Sequence, residues 1–207
     1  MLVTVVLATV ASGGLAAAGG IGDGSTAVDS ASVAAQAECS YPVSVTDVTG
    51  TEVTLEDRPE RIVVLQPSDA QIVWSLNASD RVVGMPQGPT TGYLNHTANV
   101  TNIKNQDGTV DVEQVTNQSA DLVLAANITR SGTVDQLRES GQTVYHFGKV
   151  SSMAETYRNI NTTGQLVGNC GAAADTVDSM QTRLDRIQRA VADEDEPLVL
   201  YHFWGYT

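Results

Sequence analysis

Three histidines, His96, His146 and His202, and two cysteines, Cys39 and Cys170, are the residues of this chain best suited to hold a transition metal. Zinc or manganese needs three or four such groups at one point, and the spacing here provides neither a knuckle nor a helical pair to bring them together, so no metal site is assigned. Catalytic signatures are absent too. There is no G-x-S-x-G, no H-E-x-x-H and no glycine-rich phosphate loop, and Pro67 stands where a dinucleotide turn needs glycine. What is left is recognition. Arg130 and Lys149 have the charge to meet a carboxylate or phosphate, or to pair with the abundant acidic surface. Four of the ten aromatics, Tyr201, Phe203, Trp204 and Tyr206, fall in the last seven residues. Trp204 and Tyr206 either wall a flat ligand or fill a core.

These residues need elements to place them. Arg61-Ile62-Val63-Val64-Leu65 is a short β-branched run of the kind buried on both faces of a parallel sheet. Pro67 ends it, and Ser68 with Gln71 reads as a capping box that starts a helix at Ser68. Arg81-Val82-Val83-Gly84 resumes a strand, which makes a right-handed β-α-β unit. Further on, Asp111 with Gln114 caps a short helix, Asp121 to Ala126 is a third strand, and a helix from Thr133 to Ser140 ends at Gly141. Gln142 to Phe147 is the fourth strand, and Ser152 with Glu155 caps a helix that stops at Gly168. Gly171 to Asp193 is a long amphipathic helix. Val43 to Leu55 alternates around Thr49-Gly50 as a hairpin, and Met85 to Gly108 reads as a polar loop. With helical or long crossovers, the strands ending at Leu65, Gly84, Ala126 and Phe147 must open onto one edge.

The segments RIVVLQPSDAQIVWSLNASDRVVG, VDVEQVTNQSADLVLAAN, TVDQLRESGQTVYHF and SSMAETYRNINTTGQLVG, followed by the long helix up to PLVLYHFWGYT, occur in that order. Together they resemble the iron-chelate and cobalamin class of ABC-transporter substrate-binding proteins, with the class III periplasmic-binding fold. The resemblance implies an α/β protein, a parallel-sheet N-lobe joined by a long interlobe helix to a second lobe. The expected organisation is a signal peptide and linker over 1–37, the N-lobe over 38–168, the interlobe helix over 169–196, and the first strand of an incomplete second lobe over 197–207. A single strand completes no lobe, so the expectation is a truncated chain that binds ligand weakly or not at all. The implied function is non-enzymatic capture of a siderophore, haem or cobalamin, without a cofactor, for an ABC permease and its ATPase. Asp69 or Glu113 would be candidate docking carboxylates. Ligand contacts are expected from Gln66, Pro67, Ser68, Asp69, Met85, Pro86, Asn127, Arg130, Gly148 and Lys149 on the sheet edge, with Trp204 and Tyr206 beyond them. A zinc or manganese binder on the same fold and a non-transport surface glycoprotein are the alternatives.

Composition narrows the partners. Eleven basic residues against 24 acidic ones give a net charge of −13, which argues against nucleic acid and against anionic membrane surfaces. An acidic surface with Lys104 and Lys149 as the two lysines suits solubility in high salt, which points to a halophilic source. Residues 2–11 are an apolar run too short to span a bilayer, followed by small residues, as in an export signal, although no basic residue precedes it. Export to the cell surface follows, with membrane attachment through an anchor not seen in this chain, because Gln36-Ala37-Glu38 before Cys39 is a poor lipidation signal. In an exported chain an even cysteine count predicts a Cys39–Cys170 disulfide. Sequons at Asn77, Asn95, Asn99, Asn117 and Asn161 are expected to carry glycans. That at Asn127 is expected to stay unmodified, since a glycan there would crowd the cleft.

Overall fold

Aliphatic triplets build the centre of this molecule, because each can bury side chains on both faces of a sheet. The structure, a computed structural model, describes residues 39–95 and 97–194. The expected export signal, the strand at 198–201, His96, His202, Trp204 and Tyr206 all lie outside the described residues.

A two-stranded antiparallel hairpin, β1 (Val43–Thr46) and β2 (Glu52–Leu55), precedes the sheet. The sheet consists of β3 (Ile62–Val64), β4 (Val82–Met85), β5 (Thr101–Asn102), β6 (Leu122–Ala125) and β7 (Val144–His146), in the order β5-β4-β3-β6-β7 and parallel throughout. The connecting helices are α1 (Pro67–Ser75), α2 (Val112–Asn117) and α3 (Ser131–Glu139), and α4 (Met153–Val167) and α5 (Cys170–Val191) follow. Side-chain alternation sorts the core into two layers. Ile62, Val64, Leu122, Leu124 and Tyr145 face one way, with residues of α1, α4 and α5. Val63, Val123, Ala125 and Val144 face the other, with Val115 of α2 and Val134 and Leu137 of α3. Helices on both faces explain why the central strands carry no polar residue.

Two expectations need correction. Helix α1 begins at Pro67 with Gln66 as N-cap and no side-chain cap, so Ser68 lies inside the first turn and the Ser68/Gln71 capping box does not form. Proline's fixed φ and missing N–H suit the first helical position, and that preference wins over the serine. The stretch after Gly84 is also more ordered than a polar loop. Thr101–Asn102 adds an edge strand to β4, and the chain folds back through a bridge between Lys104 and Val110. Gly84 makes room for this return, since a Cβ there would stand 2.9 Å from Ile103 Cγ2. The Asp111 and Ser152 caps do form, on the N–H groups of Gln114 and Glu155.

A junction at the far edge fixes the last two helices. Helix α4 ends at Gly168, whose φ of +72° reverses the chain into α5. Buried Arg81 donates to the carbonyls of Pro59 and Val167, both at 2.7 Å, and Asn169 Nδ2 donates to the Leu76 carbonyl at 2.6 Å. Cys39 and Cys170 are disulfide-bonded at the same place, with Cα atoms 5.4 Å apart.

Candidate functional site

Because every strand of the sheet runs the same way, the carboxyl ends of β3, β4, β6 and β7 share one edge, and four loops meet there. Asp69 holds two of them together. It lies in the first turn of α1 and its Oδ2 accepts the Ala126 N–H at 2.9 Å, which pins the β3–α1 turn to the end of β6. Its side chain is almost sealed, the residue being 4% exposed. Burial raises its carboxyl to about 7, opposed by the N–H groups of Ala126 and Gln66 and by the charge of Lys104. Beside it, Gln66 Nε2 donates to Thr129 Oγ1 at 3.3 Å.

Two recesses flank this pair of bonds. One, of about 240 Å³, lies towards α1 and α4 and is mostly apolar: Ile72, Phe147 and Val150 wall it, with Ser68, Asp69, Asn127, Gly148 and Asn159 contributing polar or backbone groups. The other, of about 190 Å³, lies towards α3 and is polar, bounded by Gln66, the turn Lys104 to Val110, and Ile128 to Arg130 with Thr133. Two exposed apolar side chains stand in the same edge loops, Ile128 at 68% and Val150 at 42%.

The expected contact residues thus divide. Ser68, Asp69, Asn127 and Gly148 line the apolar recess, and Gln66 and Arg130 line the polar one. Met85 is fully buried in the core and Pro86 is buried with its carbonyl accepting from Thr91 Oγ1, so neither side chain reaches the edge. Pro67 is half-buried as the first residue of α1, and exposed Lys149 borders neither recess. The burial of Asp69 also removes it as a docking carboxylate, whereas Glu113 is exposed in the first turn of α2. His146 is buried, 7% exposed, with both ring nitrogens unpartnered, and among the described residues no three His, Cys, Asp or Glu side chains are grouped to hold a metal. All six sequon asparagines are exposed.

Lys104 is the residue the sequence did not single out. It is half-buried, its ammonium held below the usual lysine range by burial, with Asp69 acting the other way. The available signal was its rarity in an acidic chain, but nothing in the local pattern placed it beside the edge until β5 and the bridge to Val110 turned it inward.

The profile of a periplasmic binding protein family matches residues 62–206. A cobalamin-binding protein of Halobacterium salinarum is 42% identical over 173 residues, which cover 82% of this chain and 46% of that protein. An uncharacterised ABC transporter substrate-binding lipoprotein of Bacillus subtilis, YvrC, is 32% identical over 165 residues, 77% of this chain and 51% of that one. Among solved structures, the heme binding protein HmuT superposes with a TM-score of 0.61 at 21% identity, covering 76% of this chain and 50% of its own. An Fe3+-hydroxamate transport protein from Saccharomonospora viridis does so with a TM-score of 0.59 at 24% identity, over 74% of this chain and 58% of its own. These structural likenesses speak to the fold. The chain spans about half the length of the curated relatives it matches.

Proposed function

Since the chain belongs to the periplasmic binding protein family, we propose that it is the substrate-binding component of an ABC importer and captures a metal chelate or corrinoid, without catalysis, outside the cell. The observation that carries this reading is the edge itself. Four parallel strands deliver their loops to one side, where an apolar and a polar recess sit next to each other. A ligand with a broad apolar body and polar arms would cover both. The likeness to a cobalamin-binding protein favours a corrinoid over a siderophore or haem.

The remaining parts of the reading follow. Helix α5 runs past Val177, its last buried residue, and Met180, which still packs on the core, and its far half exposes Ile187 and Val191 at 57% and 55%, which supports a role as a strut to a second lobe. Partners are then a permease and its ATPase, met on a surface that includes exposed carboxylates such as Glu113. Among the described residues no helix is long and apolar enough to cross a membrane. Export rests on the apolar segment at 2–11, and adaptation to high salt on the charge of −13. The exposed sequons at Asn77, Asn95, Asn99, Asn117 and Asn161 are open to glycans, and Asn127, on the wall of the apolar recess, is kept free.

Calorimetric titration of the chain with cyanocobalamin, ferrioxamine B and haemin tests the proposal. Weak but saturable binding of cyanocobalamin, stronger than of the other two, is the expected outcome, since this edge is one wall of the cleft. No saturable binding of any of the three would overturn it.

A further inference from the structure

The polar recess gathers hydrogen-bond donors and leaves them without acceptors. Lys104 and Arg130 both border it, and neither makes an ion pair: among the described residues the ion pairs are Arg138 with Asp47 and Arg158 with Glu155. Each still faces a carboxylate beyond ion-pair distance, Lys104 that of Asp69 and Arg130 that of Asp107. Thr129, 4% exposed, accepts from Gln66, and its own hydroxyl proton has no acceptor among the described residues. The acid on this wall, Asp107, is held by Thr109, whose backbone N–H and hydroxyl both donate to its Oδ1, at 2.9 and 2.6 Å. Arg130 is also the N-cap residue of α3, which has no side-chain cap and no acidic residue in its first turn, so no side chain of the helix itself offsets its positive end.

We propose that this recess is an oxyanion subsite, in which Lys104, Arg130 and the Thr129 hydroxyl receive a phosphate-type group borne by the ligand. The inference deepens the reading of the edge as a ligand site and rests on it for the ligand's identity, though not for the anion. A half-buried ammonium has lost part of its hydration, so a charge-assisted hydrogen bond there is worth more than at an open surface. Selectivity follows: a ligand with a phosphodiester arm is favoured over its core lacking that arm.

The experiment has two arms. In the first, the chain is titrated with inorganic phosphate at constant ionic strength and followed by 15N NMR. Saturable shifts are expected at the amides of Lys104 and of residues 129–133. Lys104→Gln should weaken binding roughly tenfold, the worth of one hydrogen bond to a charged group, and the exposed Arg130→Gln roughly threefold, while Lys149→Gln should change nothing. In the second arm, cyanocobalamin is compared with dicyanocobinamide, which lacks the phosphodiester, and Lys104→Gln should weaken the first and spare the second. Shifts linear in phosphate, or indifferent to both substitutions, overturn the subsite. Saturable phosphate binding with cyanocobalamin binding insensitive to Lys104→Gln overturns its role in ligand recognition. If phosphate saturates and neither corrinoid binds, the subsite stands and the corrinoid reading falls.

Discussion

Asp69 shows how one carboxyl can order a binding edge and charge the fold for it. An Asp in an unfolded chain titrates near 4, roughly, whereas burial raises this one to about 7. Between those values the folded protein keeps a proton that the unfolded chain has released. Stability therefore falls as pH rises through this window and levels off above it. The charge facing Asp69 is that of Lys104, which offsets only part of the cost. Asparagine keeps an oxygen for the Ala126 N–H and carries no charge. Asp69→Asn should match the wild type near about pH 4 and exceed it by up to about 4 kcal/mol by about pH 8, read from urea unfolding at both values. A difference that does not change with pH would mean that the buried charge is not the source.

At the scale of elements, the β1–β2 hairpin is tied to the sheet by Asp47, whose side chain is fully buried. Its Oδ1 accepts from Thr49 and Thr51, its Oδ2 from the His146 N–H, and Arg138 of α3 pairs with it. Burial alone would raise this carboxyl, but the donors from Thr49, Arg138 and His146 outweigh it and hold it below the usual range. The stability it contributes is present above the unfolded-state value and is lost as pH falls through the folded one. Asp47→Asn should cost about 3–5 kcal/mol at neutral pH, the penalty of a buried charge left without its partner, and less in acid. Thermal unfolding across pH checks it, and hydrogen exchange should show the hairpin opening first. None of this was legible in the sequence, because Asp47 and Arg138 lie 91 residues apart and leave no local trace. The parallel strands and the Asp111 and Ser152 caps were legible, since each depends on neighbours within a turn or a run. Ser68 misled because Pro67 beside it made a better helix start, and β5 was unreadable because two residues carry no periodicity. The edge could be inferred from topology alone, but its division into two recesses depends on which side chains lean together across loops.

For the whole molecule, the disulfide joins the first described residue to the start of α5, closing a sequence separation of 131 residues. A loop of that size gives a cross-link worth about 2–5 kcal/mol, acting mainly by restricting the unfolded chain. Cys170→Ser, or reduction with dithiothreitol, should lower the unfolding free energy read from a urea titration by that amount, with a lower midpoint, while leaving the circular dichroism of the folded state unchanged. No change in midpoint would mean that the junction of Arg81, Asn169 and Gly168 holds the arm by itself.

The same bond decides what the Cys39 sulfur is free to do. A lipoprotein is tethered through a thioether on a cysteine sulfur, and a sulfur shared with Cys170 has no valence left for one. Cys39 can be an anchor or a staple, never both in one molecule. In a chain folded as described here, the Cys39 sulfur is closed to lipidation. The intact mass of such a chain without reductant would then show two hydrogens fewer than the dithiol and no diacylglycerol.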